Sequence, residues 1–281
     1  MRFSSAGHAL DARVEGDPAG ETVVLLHGFP QRAATAWEAV WPPLAAAGYR
    51  VAMPDQRGDS SGARPVERRA YRMDELVGDL AALLDALGAE RAHVVGHDWG
   101  GAVAWAAAGV LPERLHTLTA VSTPHPRALL AALTTSTQAL QSSYFALFQL
   151  PWLPERLLLA GGGRVLTEML RRSGLDADPT RLYVEAMREP GALTAALNWY
   201  RAVPLASGRA GRPGRVAVPT LYVWGSRDPA LGRAAATRTA NWVSGPYTFV
   251  EVPGGSHWIP EQHPASLLDP LLPHLRSAAA R

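Results

Sequence analysis

The chain reads as an α/β protein built on a mostly parallel sheet. Three observations predict this. Short apolar runs of strand length alternate with segments of helical periodicity. Glycine-rich polar punctuation follows the C-terminal end of strand after strand. The alternation breaks once, between about Pro124 and Pro213, where helical patches occur without a clear strand.

Taken in order, Leu10 to Val14 and Val23 to Leu26 are strands, the second a continuous apolar run suited to a sheet covered on both faces. A helix is expected near Trp37 to Ala47, then a strand RVAMP at Arg50 to Pro54 that ends in the Gly/Ser/Pro-rich loop DQRGDSSGARP. From Met73 to Leu87 the leucines at 76, 80, 83, 84 and 87 share one helical face, and Gly88 stands where a helix of that length stops. His93 to Gly96 is strand, Gly100 to Ala108 helix and Leu115 to Val121 strand. After the interruption come a strand at Thr220 to Trp224, a helix near Leu231 to Val243, a strand at Tyr247 to Val252 and a helix around Ala265 to Leu275. The organisation expected is a core of residues 1–124 and 214–281 with a helical insertion at 125–213.

At 281 residues the chain is long enough for one large core with an insertion. Its 27 basic residues are all arginine and lie scattered, against 25 acidic ones, so the net charge of +2 leaves no nucleic-acid footprint. Cysteine is absent, which excludes disulfides, thiolate metal sites and a cysteine nucleophile. The N-terminal segment lacks the apolar stretch of a signal peptide, and no run reaches the roughly 18 apolar residues of a membrane span. A cytoplasmic location without membrane partners is expected.

In parallel α/β sheets ligands gather at the C-terminal strand ends, and the polar loops here fall there: His27 to Pro30, Asp55 to Gly58, His97 to Gly101, Ser226 to Asp228 and Gly254 to Trp258. In VVGHDWGGAV the residue between strand and helix is Asp98. An Asp that opens a helix is most often an N-cap. Glycines at 96, 100 and 101, however, leave room for a turn tight enough to strain its central residue. A carboxylate is ionised at neutral pH, so it attacks carbon without a base and forms an ester. Hydrolysing that ester requires an activated water, hence a histidine oriented by an acid. His257 in GGSHW and Asp228 in GSRDPA supply them, in the chain order nucleophile, acid, histidine of the α/β-hydrolase triad. The charge that develops on the attacked carbonyl needs backbone N–H donors, for which Phe29 and Trp99 are the candidates.

These residues resemble the epoxide hydrolases of the α/β-hydrolase fold along almost the whole chain. The matching pieces are HGFP, DQRG, GHDWGG, STPHP, SSYFALFQLP, LNWYR, VWGSRDPAL and GGSHWIPEQHP. The resemblance implies an eight-stranded, mostly parallel sheet flanked by helices, a helical cap at 125–213, and conversion of an epoxide to a vicinal diol. It further implies that two cap tyrosines, Tyr144 and Tyr200, hold and protonate the epoxide oxygen, with Tyr183 as a reserve for that role. With Phe29 and Trp99 they would line the substrate pocket. His97 and His27 are expected to brace the elbow and the oxyanion loop, His125 to be structural, and Asp55 with Arg57 to form a loop-bracing pair. No metal or organic cofactor is implied, and the partner is a small epoxide bound by a monomer or homodimer.

Two other readings remain. GHDWGG is shared with haloalkane dehalogenases, which need N–H donors for the halide. Phe29 occupies the place of the usual Asn, and Trp152 is the candidate second donor. A non-catalytic binder of a small hydrophobic ligand would have no use for His257.

Overall fold

A computed structural model describes residues 1–206 and 208–279. Eight strands form one sheet: β1 (Arg2–Ser5), β2 (His8–Gly16), β3 (Thr22–Leu26), β4 (Arg50–Pro54), β5 (Ala92–His97), β6 (Leu115–Val121), β7 (Thr220–Gly225) and β8 (Tyr247–Val252). Their spatial order is β1-β2-β4-β3-β5-β6-β7-β8. The β1–β2 and β2–β4 pairs are antiparallel and all others are parallel. Every residue of β3 and of β5 is buried, as their unbroken apolar character requires between two helical layers.

One layer holds the helices Met73–Leu87 and Trp99–Val110, which pack Leu76, Leu80, Leu83, Val103 and Trp105 against the sheet. The other holds Trp41–Ala46 and Pro264–Ala279, which contribute Leu44, Leu267, Leu271 and Leu275. The Met73–Leu87 helix has the bounds its leucine spacing predicts. Gly88 ends it at φ 66°, a left-handed conformation that costs glycine no steric strain.

Three elements differ from expectation. β1 has no apolar run, with only Phe3 and Ser5 turned inward, and it exists through its pairing with β2. The helix expected at Trp37–Ala47 divides into Ala33–Ala36 and Trp41–Ala46, because Pro42 and Pro43 fit only the first turn of a helix. The helix expected near Leu231–Val243 is Arg233–Arg238 followed by a 3-10 turn at Thr239–Trp242. Val243 leaves it to bridge Val216.

Between β6 and β7 the elements among the described residues are helical, chiefly Pro126–Leu133, Tyr144–Phe148, Leu153–Arg172 (broken by non-helical backbone at 160–163), Ala177–Met187 and Ala192–Ala202. A third apolar cluster joins them to the strand ends through Phe29, Trp99, Phe148, Tyr183, Trp199, Tyr200 and Trp258. Trp199 Nε1 donates to the Arg57 carbonyl at 2.7 Å, and Glu189 forms ion pairs with both Arg32 and Arg64 at 2.7 Å.

Candidate active site

Asp98 occupies the single residue between β5 and the Trp99–Val110 helix, at φ 52° and ψ −119°. That conformation is costly for any residue with a Cβ, and its neighbours make it possible. A Cβ on Gly96 would fall 2.1 Å from the Gly100 carbonyl oxygen, and one on Gly100 would fall 2.1 Å from that of Leu26. The Asp98 side chain makes no capping bond to its helix. Its Oδ1 accepts the Phe29 N–H at 2.8 Å, and its Oδ2 lies 3.5 Å from His257 Nε2. Its main-chain oxygen takes the Thr123 hydroxyl at 2.7 Å. The carboxylate therefore faces the loops and not the helix backbone.

His257 donates Nδ1–H to Asp228 Oδ2 at 2.8 Å. The other oxygen of Asp228 accepts the N–H groups of Ala230 and Leu231 at 2.8 and 3.0 Å, so the acid is immobilised before it orients the ring. The His257 carbonyl is fixed in turn by the Ser122 hydroxyl at 2.7 Å. Burial works to lower the His257 pKa, but Asp228 and Asp98 outweigh it and hold the imidazole well above its ordinary value. The converse holds for Asp98: burial works to raise its pKa, yet the hydrogen bond and charge of His257 keep it below the usual value.

Tyr200, 3% exposed on the helix Ala192–Ala202, stands edge-on to Trp99 with ring centroids 5.0 Å apart and to Phe29 at 5.5 Å. Tyr144, half-buried on Tyr144–Phe148, is 6.0 Å from Tyr200, and Phe145 and Phe148 close the same cluster. Burial raises the pKa of both phenols. The Asp98 charge raises them further, with Asp228 adding to the effect at Tyr144 and the Tyr144 phenol at Tyr200. Both are proton donors at neutral pH, set in one aromatic wall with the two residues that flank the Asp98 carboxylate.

Other expected residues lie elsewhere. Tyr183 donates its hydroxyl to Glu261 Oε1 at 2.7 Å, and so is engaged away from Asp98. Trp152 is 61% exposed with the Arg156 guanidinium over its ring at 5.9 Å, so it supplies no second halide donor beside Trp99. Arg57 is paired in bidentate fashion with Asp79, at 2.8 and 2.6 Å, and not with Asp55, which instead accepts the Ala33 N–H at 3.1 Å. His27 braces its loop by donating to the Gly28 carbonyl and accepting the Gln56 N–H, at 3.0 and 3.1 Å. His125 caps the Pro126–Leu133 helix by accepting the Arg127 N–H.

The His97 ring spans from Gln31 Oε1 to the His257 carbonyl oxygen, 2.9 Å at each end. Burial, with the neighbouring His257 charge, lowers its pKa to about 3. Both oxygens are acceptors, so the one proton of a neutral ring serves one of them at a time. Sequence reasoning passed over Gln31, Glu261, Ser122, Thr123 and Asp79. Their only signal is position, beside HGFP and GGSHW, within STPHP, or, for Asp79, on the buried leucine face of its helix.

The chain belongs to the alpha/beta hydrolase fold family, whose model matches residues 21–264. Within that family it groups with the epoxide hydrolases. It is 33% identical over 307 residues to Epoxide hydrolase A of Mycobacterium tuberculosis, covering 95% of this chain and 94% of that one. It is also 39% identical over 277 residues to the AB hydrolase superfamily protein YfhM of Bacillus subtilis, covering 96% of each. Among solved structures, Epoxide Hydrolase A from Mycobacterium thermoresistibile matches with a TM-score of 0.84 at 29% identity, over 98% of this chain and 97% of that one. Among the described residues no helix is long and apolar enough to cross a membrane.

Proposed function

We propose that the protein hydrolyses epoxides to vicinal diols through an ester on Asp98. The observation that carries this reading is the division of labour on one carboxylate: Oδ1 is held by the Phe29 N–H, while Oδ2 is 3.5 Å from His257 Nε2. Oδ2 attacks a ring carbon, the C–O bond of the ring breaks, and the departing oxygen takes a proton from Tyr144 or Tyr200. A phenol is suited to this step because the product alkoxide is a far stronger base than a phenolate.

The second step needs a neutral His257, although two carboxylates favour its protonated form at rest. Ester formation cancels the Asp98 charge and leaves only Asp228, so the proton affinity of the imidazole falls when a base is required, and the proton it gives up passes through solvent to the phenolate and restores the tyrosine. His257 then takes a proton from water and hydroxide adds to the ester carbonyl. Charge gathers on Oδ1, where the N–H groups of Phe29 and Trp99 act as the oxyanion hole. Collapse expels the diol oxygen, which receives the proton from His257. The acid formed at Asp98 returns its own proton to His257, restoring the resting pair.

In this reading residues 125–213 form a cap that carries the tyrosines over a core of residues 1–124 and 214–281. The enzyme works in the cytoplasm as a monomer or homodimer on a small epoxide, without nucleic acid or membrane. A panel of aromatic and aliphatic epoxides, with Asp98→Ala as control and chloroalkanes assayed for halide release, tests the reaction class. Single turnover in heavy-oxygen water should place the label on Asp98. Diol formation with label only in the diol would overturn the covalent route.

A further inference from the structure

Behind the nucleophile lies a buried amide that touches both halves of the machinery. Gln31, fully buried, follows HGFP directly. Its Oε1 accepts the Gly28 N–H at 2.6 Å and lies 2.9 Å from His97 Nδ1. Its Nε2 donates to Glu261 Oε1 at 2.6 Å, and the same oxygen receives the Tyr183 hydroxyl. Gly28 precedes the donor residue Phe29, and the far side of His97 rests on the His257 carbonyl. One side chain thus links the amide that binds Asp98 Oδ1, the backbone of the histidine that faces Oδ2, and the helix Ala177–Met187 of the insertion.

We propose that Gln31 is the positioning residue of this site, held in register by Glu261 and thereby setting the distance between the Phe29 N–H and the His257 ring across Asp98. This rests on the reading of Asp98 as nucleophile and deepens it. Position 31 needs an acceptor at one end, for Gly28 and His97, and a donor at the other, for Glu261. Among side chains of this length glutamine supplies both without charge whatever the pH, whereas glutamic acid does so only when protonated. Burial raises the pKa of Glu261, against the opposing hydrogen bonds of Tyr183 and Gln31.

The test is an exchange of acid and amide. Gln31→Glu keeps the shape but, assayed at alkaline pH where both carboxyl groups are ionised, sets two like charges face to face in a buried site, where they repel. We expect kcat to fall on the order of 100-fold, the scale of an ångström-sized misplacement, with KM unchanged, because no contact to substrate is altered. The double variant Gln31→Glu/Glu261→Gln restores one donor facing one acceptor, and kcat returns toward the wild-type value. Exchange protection of the Gly28 and Phe29 amides, read by NMR, follows the same order: lost in the single variant and regained in the double. Wild-type kcat in Gln31→Glu, or a double variant as slow as the single one, overturns the proposal. Wild-type protein that opens no epoxide defeats the reaction reading alone, since the amide-exchange measurement still decides the positioning role.

Discussion

Gly28 and Asp98 approach so closely that a methyl group at position 28 would fall 2.3 Å from the Asp98 Cβ. The glycine of HGFP is thus a steric partner of the carboxylate as well as a turn residue. Gly28→Ala must push the Phe29 amide and Asp98 apart. Ester formation should slow on the order of 100-fold, with circular dichroism unchanged. A variant that alkylates at the wild-type rate would show that the loop yields at no catalytic cost.

The backbone of Asp98 distinguishes two variants that both lack the carboxylate. Asp98→Ala and Asp98→Gly both delete the carboxylate, but only glycine accepts φ 52° with ψ −119° without strain. Asp98→Gly should be more stable than Asp98→Ala by about 1–3 kcal/mol, read by urea denaturation. Equal midpoints with equal slopes would mean that the turn stores no strain.

On the proposed reaction, the two steps should respond to pH differently, the first holding its rate in mild acid and the second losing it. Asp98, its pKa held below the usual value, stays ionised into mildly acidic solution, so ring opening continues there. Ester hydrolysis requires neutral His257 and slows about tenfold per pH unit below the pKa that the ring has in the ester. The sign follows: as pH falls, the protein should accumulate with the added mass of one epoxide, measured by rapid acid quench and intact mass spectrometry. An adduct fraction that does not change with pH would rule out His257 as the base.

Tyr200 and Tyr144 differ in enclosure, since Tyr200 is walled by five other rings, Tyr144 among them, and Tyr144 is half-buried. Tyr200→Phe and Tyr144→Phe should each slow ring opening by about 10²–10⁴-fold. The rate of ester hydrolysis should hold, as single-turnover kinetics can separate. Loss confined to the second step would assign the phenols to water handling instead.

How much of this was legible depended on whether an element declares itself through its own residues. The Met73–Leu87 helix and the strands Leu115–Val121 and Tyr247–Val252 have the bounds read from sequence, since helical leucine spacing marks the first and short runs rich in apolar, β-branched and aromatic residues mark the others. β1 escaped notice because two inward residues do not make a pattern, and its partner supplies the rest. Among the site residues, Asp98, His257 and Asp228 stood in motifs whose spacing carries chemistry. Gln31 and Glu261 meet across 230 positions, and an amide and an acid beside two motifs read as ordinary loop polarity until the chain is folded. Asp79 is hidden in the same way, as one acid on a helix marked by its leucines, although it holds Arg57 through two bonds.

The aromatic wall of Phe29, Trp99, Tyr144, Phe145, Phe148 and Tyr200 bears on what happens after chemistry. An epoxide has a single weak acceptor oxygen and is at home among ring faces, whereas a diol brings two hydroxyl groups that want water. On the proposed reaction, turnover therefore makes its own tenant unwelcome. Departure is driven by hydration, and the lining that draws the reactant in works against retention of what it becomes.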